Sequence, residues 1–316
     1  MITHLLYMKH RAIIFVILSS VFGQVYAQET RFHGAFTEDF SGATSAFFDY
    51  NYRRSGDDFR YFSGIRSFSE KGTDIMLYRI DPSDPAGAGR GPEIISKDYT
   101  FYGSYSARIK LPDVTKVQPN VGAVVGYFTY SVDRQMGLSE IDIEWLLADP
   151  RIIYVGTWTG KSGTLNRVGR TINLATGEIL ETIWRSESRQ PDGTVHRIPN
   201  TPLKNRQNLP EKIDAIEGYD ASSQFYTYGW DWYPDRLVWW ILHPETGEKV
   251  VLWDYEGGAD LFPDHPSKDG IPCVKTKYRL NFWHTNNWPV ETNPASTEKP
   301  LYPFELETDW MSYRPF

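Results

Sequence analysis

From Phe32 onward, short runs rich in Phe, Tyr, Val and Ile alternate with polar residues and stop at Gly, Pro, Asp or Asn. A side-chain period of two is the signature of strands that bury one face. The pattern predicts strands over 74–80, 99–111, 121–130, 140–146, 152–159, 227–232, 236–242, 278–283 and 304–313. Many short strands separated by turn signals predict an all-β sandwich or barrel. No stretch of good length carries a helical period. Residues 208–218 hold at most one or two helical turns. Residues 81–91 are rich in Pro and Gly and read as a loop, without the strand–turn–helix context a phosphate-binding turn needs. Residues 164–223 are long and polar, with a hairpin turn at Asn173–Glu178 and a Pro- and Arg-containing passage after it. They read as an insertion or elaborated loop on the same domain, too poor in apolar clusters to build a core of their own.

One strand departs from the ordinary alternation. In Ser139-Glu140-Ile141-Asp142-Ile143-Glu144-Trp145, three carboxyl groups project from one face and two isoleucines from the other. Ionised together they repel, and buried they lose solvation. Such a row fits a solvated acidic face, a set of calcium ligands, or a catalytic pair with an assistant. Retaining cleavage of a glycosidic bond needs two carboxyl groups about 5–5.5 Å apart, one a nucleophile and one a protonated acid. Glu140 and Glu144 are about 13 Å apart at Cα on a flat strand, and long side chains on a curved sheet close much of that gap. Sugar rings also need flat aromatic faces and polar groups for their hydroxyls. Trp158 follows soon after the acidic strand, and Asn281, Trp283, His284, Asn286, Asn287 and Trp288 cluster near the C-terminus. Trp230, Trp232, Trp239 and Trp240 sit in dense apolar runs and read as core.

These residues resemble glycoside hydrolase family 16. Glu140-Ile141-Asp142-Ile143-Glu144 has the Glu-x-Asp-x-Glu form found in lichenases and xyloglucan transglycosylases. Phe101 to Lys110, Tyr127 to Tyr130, Tyr226 to Trp240, Asn281 to Trp283 and Asp309 to Tyr313 resemble flanking strands of that family. The resemblance implies a concanavalin A-like β-jelly roll of two curved antiparallel sheets. It implies Glu140 as nucleophile, Asp142 as assisting acid and Glu144 as acid/base. It places Glu93, Asn281 and Trp283 on substrate, beside Trp158 and Trp288 read as aromatic faces from their setting, and makes Asp309 a candidate ligand of a structural calcium, with no cofactor needed for catalysis. The implied activity is endo-acting, retaining hydrolysis of a β-1,3-1,4 or β-1,3 glucan. A transglycosylase with the same residues and a non-catalytic carbohydrate-binding jelly roll are the alternatives. Leu138-Ser139 before the motif, Ile95 in place of an Arg, the missing cysteine pair and the 164–223 segment depart from the lichenases, and bear on substrate rather than chemistry.

Composition narrows the setting. The 316 residues carry a net charge of −7 and no long basic run, which argues against nucleic acid or an anionic membrane as partner and mildly against a strongly anionic polysaccharide. Lys9 to Arg11, the apolar run Ala12 to Phe22, and Val25-Tyr26-Ala27 form a secretory signal with cleavage before Gln28. Residues 28–316 are then one catalytic domain, exported to the periplasm or medium and read as a monomer. Cys273 is the single cysteine, so no intramolecular disulfide forms and no lipid-bearing cysteine follows the signal.

Overall fold

Two antiparallel sheets face each other across an aromatic core. The computed structural model describes residues 34–42, 44–50, 62–68, 73–80, 91–113, 121–161, 163–285, 288 and 304–316. The proposed signal, the 81–90 loop, Asn286 and Asn287 lie outside them. Residues 31–316 form one unit.

The first sheet holds β1 (Phe36–Glu38), β3 (Phe62–Phe68), β4 (Thr73–Ile80), β6 (Gly103–Lys110), β13 (Tyr226–Trp232), β14 (Arg236–Leu242), β15 (Lys249–Glu256) and β17 (Phe304–Pro315). Its order is β15-β14-β13-β6-β17-β4-β3, with β1 also on β17. The second holds β2 (Phe48–Asp49), β5 (Glu93–Ser96), β7 (Ala123–Asp133), β8 (Gly137–Leu146), β9 (Ile152–Gly160), β10 (Thr164–Asn173), β11 (Glu178–Arg189), β12 (Val195–Pro202) and β16 (Lys277–His284). Its order is β12-β11-β10-β9-β8-β7-β16-β5-β2, so the acidic strand β8 lies at its centre. Two stacked antiparallel sheets make this a jelly-roll sandwich.

Alternation explains the layering. In β6, Tyr105, Ala107 and Ile109 are buried and their neighbours are partly exposed. Ile141, Ile143 and Trp145 point from β8 into the same core. The tryptophans read as core are core: Trp230, Trp232, Trp239 and Trp240 are all buried. Tyr105 stacks on Trp230 at 5.0 Å, and Trp239 stacks on Trp253 at 5.1 Å. Trp239 also donates from Nε1 to the Asp142 carbonyl at 3.1 Å, tying the acidic strand to the opposite sheet.

Every predicted strand is present. The 164–223 segment differs from its expectation as a loop: β10, β11 and β12 extend the acidic strand's sheet beyond β9. The hairpin turn at Asn173–Glu178 joins β10 to β11, with Gly177 at φ 72°. β12 is exposed along most of its length and contains Pro199 and Pro202, which an edge strand tolerates. The edge strand β12 buries little, and buried polar residues such as Asn166, Arg170 and Thr171 interrupt the apolar alternation of β10. The helical turn expected over 208–218 is absent; a single 3₁₀ turn lies earlier, at Asn205–Asn208. Beneath β10, the buried Arg170 guanidinium donates to Thr182 Oγ1, Asn208 Oδ1 and the carbonyls of Pro210 and Leu252. Burial lowers its pKa to about 10. This network ties the extension to β15. Cys273 is half-buried and accepts from Ser267 Oγ at 3.3 Å.

Candidate active site

Directly opposed residues in an antiparallel ladder share a face. The registers therefore draw transverse rows across the acidic face of the second sheet. One row runs Lys277, Tyr130, Glu140, Trp158, Arg167, Arg185. The next runs Arg279, Phe128, Asp142, Gly156, Gly169, Ile183. A third runs Glu93, Asn281, Gly126, Glu144, Tyr154. Beyond it lie Trp283, Val124 and Leu146.

The three acids share this face, as the period of two requires. Asp142 is buried, while Glu140 and Glu144 are partly exposed. Desolvation raises the Glu144 carboxyl from 4.5 to about 7, against an opposing pull from Arg167. Asp142 is raised well above the usual carboxylate range, first by burial and then by the charges of Glu140 and Glu144, again opposed by Arg167. A strand face thus holds two carboxyl groups biased to stay protonated next to a third, the division of labour that acid–nucleophile chemistry needs.

Asn281 and Trp283 alternate onto the acidic face, as expected. Asn281 Oδ1 is buried without a hydrogen-bond partner. It stands across Gly126 from Glu144, and a Cβ at Gly126 would meet that oxygen at 2.7 Å. Glycine there keeps the amide beside the acid. Gly126→Ala is expected to displace the Asn281 amide and raise KM several-fold with little change in melting temperature; an unchanged KM would remove Asn281 from the substrate site.

Glu93 is buried on the same row and accepts from Arg279 Nη1 at 2.9 Å, so its carboxylate is held rather than open. Trp283 and Trp288 pack with Val124, Leu146, Ala148, Ile152 and Tyr154 in a second apolar cluster. Tyr154 and Trp288 meet edge to face at 5.0 Å. These aromatics lie at the Glu144 end. His284 turns the other way, as its odd step from Trp283 dictates, and is buried.

Trp158 lies on the acidic face, but its ring carries two guanidiniums, Arg167 at 5.3 Å and Arg185 at 5.1 Å from the centroid. Its half-buried ring is thus shared with two cations. Arg167, Arg185, Tyr130 and the glycines Gly126, Gly156 and Gly169 were not evident as site residues in the sequence. The available signal was the even spacing of Arg167 and Gly169, legible only once β10 is known to be a strand beside β9.

Asp309 is separate from this face. It lies on β17 of the other sheet and pairs with Arg108. A guanidinium in contact opposes a cation, so the residues present do not fit a calcium at Asp309. Among the described residues, no group of three or more His, Cys, Asp or Glu could hold a metal ion.

Residues 58–176 match the family described as Glycosyl hydrolases family 16. Over 106 residues, 33% of this chain, it is 29% identical to a β-glucanase of Paenibacillus polymyxa. That stretch is 34% of the relative, so the match spans about a third of the length of the curated relatives. A prokaryotic β-1,3-1,4-glucanase (lichenase) from a mouse hindgut metagenome superposes with a TM-score of 0.51 at 19% identity, over 90% of this chain and 100% of that one. The laminarinase catalytic domain of Thermotoga maritima gives 0.50 at 14% identity, over 90% and 100%. These two structures share the fold with this chain.

Proposed function

This chain carries a glycoside hydrolase family 16 domain, and from that premise we propose that it is an exported, endo-acting, retaining hydrolase of a β-1,3-1,4 or β-1,3 glucan. The observation that carries the reading is the acidic row at the centre of the sheet, with Glu144 held protonated near neutral pH beside Glu140 and a buried Asp142 between them.

On this reading Glu140 attacks the anomeric carbon while Glu144 donates its proton to the departing glycosidic oxygen. The C–O bond to the leaving sugar breaks as the bond to Glu140 forms. Glu144, now ionised, takes a proton from water, which attacks the glycosyl ester and releases Glu140. Two inversions give net retention. Asp142, protonated, donates a hydrogen bond to a neighbouring carboxylate and helps keep the pair in opposite protonation states. Asn281 offers an acceptor to a sugar hydroxyl, and Trp283 and Trp288 supply an apolar surface. No step needs a cofactor.

Product analysis on mixed-linkage glucan, laminarin and xyloglucan tests the assignment. Internal cleavage with release of β-configured reducing ends is the expected result. Binding without any release would leave a carbohydrate-binding jelly roll, and chain exchange without net release would make the enzyme a transglycosylase. Export rests on the 1–27 segment, and sequencing the mature chain is expected to find Gln28 first.

A further inference from the structure

Arg167 and Arg185 stand opposite each other on β10 and β11. Like charges placed this way disfavour a sheet. Both are half-buried, and burial together with the Arg167 charge pulls the Arg185 pKa down. Three other arginines of this sheet are matched: Arg197 by Glu187 at 2.8 Å, Arg279 by Glu93 at 2.9 Å, and Arg170 by four acceptors. Arg167 and Arg185 make no ion pair and no hydrogen bond among the described residues; each contacts the Trp158 ring instead. A guanidinium held by a ring face alone keeps its N–H donors uncommitted to any acceptor.

Compensation of the acidic row accounts for one of the two. Arg167 folds over Gly169, where a Cβ would meet its Nε at 3.1 Å, and its charge reaches Asp142 and Glu144. Arg185 is one strand further out, and the charges that act on it are Arg167, Glu181 and Glu187 rather than the acidic row. The site as built is a pair of half-buried guanidiniums in the row of Glu140, Arg167 two strands and Arg185 three strands away from it. Such forks match the oxygens of a tetrahedral or planar oxyanion.

We propose that Arg167 and Arg185 form a subsite for an anionic substituent, a sulfate ester or a carboxylate, on a sugar ring displaced across the sheet, along this row, from the one that Glu140 attacks. The proposal rests on the glycosidase reading and narrows its substrate to a β-linked glycan bearing such groups. The chain's net charge of −7 weighs mildly against a strongly anionic polymer, but the local charge is of the other sign. Net charge describes the whole surface, whereas this row carries Lys277, Arg167 and Arg185 against a single Glu140.

The test compares one glucan backbone in three forms: neutral, sulfated and carboxymethylated. For the full chain, kcat/KM on one charged form is expected to exceed that on the neutral form by roughly tenfold or more, the gain of one charge-assisted contact. Arg185→Gln, which keeps most of the stem, and Arg185→Ala are expected to cut that ratio about tenfold. Preference for the sulfated form assigns a sulfate ester, and preference for the carboxymethylated form assigns a carboxylate. A ratio near one in the wild type, or a ratio unmoved by both variants, overturns the subsite. Binding by Glu140→Gln separates this from the activity itself. A charged-form preference in Glu140→Gln that is lost on adding Arg185→Gln upholds the subsite even if no polymer is cleaved. Cleavage of neutral glucan with no charged-form preference in either assay overturns it and leaves the glycosidase reading standing.

Discussion

Glu140→Gln is expected to lower kcat on a cleaved glucan by roughly four orders of magnitude or more, because it removes the atom that forms the covalent bond. The fold should survive. Gln is isosteric, Glu140 is partly exposed, and its charge is one of those that burden the buried Asp142. Loss of that charge lowers the pKa of Asp142 toward its usual range and relieves repulsion, so the melting temperature should hold or rise. Small-molecule rescue separates the two glutamates. In a Glu140→Gly variant, azide added from solution attacks the anomeric carbon once, and the glycosyl azide formed has inverted configuration. In Glu144→Gly the nucleophile remains, azide resolves the ester, and configuration is retained. Retention from the Glu140 variant would reverse the assigned roles, and normal turnover by Glu140→Gln would end the assignment. Asp142→Asn should reduce kcat less, since Asp142 orients and tunes without forming a bond.

The second large effect is on pH. Glu144 titrates at about 7 because burial disfavours its charge. As general acid it works protonated, so kcat/KM should fall tenfold per pH unit above about 7. In Glu144→Gln that limb should vanish along with most of the rate on substrates with poor leaving groups, and less of the rate should be lost with an activated aryl leaving group, which needs no proton. Stability follows the same group with a definite sign. Its folded pKa lies above the ordinary 4.5, so the folded state binds more protons between 4.5 and about 7. The associated stability is whole below 4.5 and is lost as pH rises through about 7. The displacement corresponds to roughly 3 kcal/mol undiminished by solvent, and about half that for a carboxyl still partly in water. Asp142 acts in the same direction. Melting curves at pH 5 and pH 8 should therefore diverge in the wild type and diverge less in Glu144→Gln, where the Asp142 contribution remains. Equal divergence in both proteins would mean that Glu144 is not the titrating group.

Much of this architecture is legible without coordinates. The alternation in residues 140–146 places three carboxyl groups on one face because a strand's geometry allows no other outcome, and the alternation in Phe304–Pro315 or Arg236–Leu242 marks strands for the same reason. The dense runs holding Trp230, Trp232, Trp239 and Trp240 are core because nothing else hides so much aromatic surface. The 164–223 segment was opaque because its edge strand β12 buries little and because β10 buries Asn166, Arg170, Thr171 and Asn173 beside Val168 and Ile172, which hides the apolar alternation, and Asp309 was misleading because its partner Arg108 is 201 residues away in the chain.

Local sequence thus determined the strands and the facing of the acids, properties with a period of two. Register is decided by pairing between distant segments, and it is register that set Asn281 across Gly126 from Glu144 and Arg167 and Arg185 in the row of Glu140. Burial, likewise a product of the whole sandwich, is what moved Glu144 to about 7 and withheld water from Asp142. A strand declares which way its side chains point, but only its neighbours decide what those side chains meet.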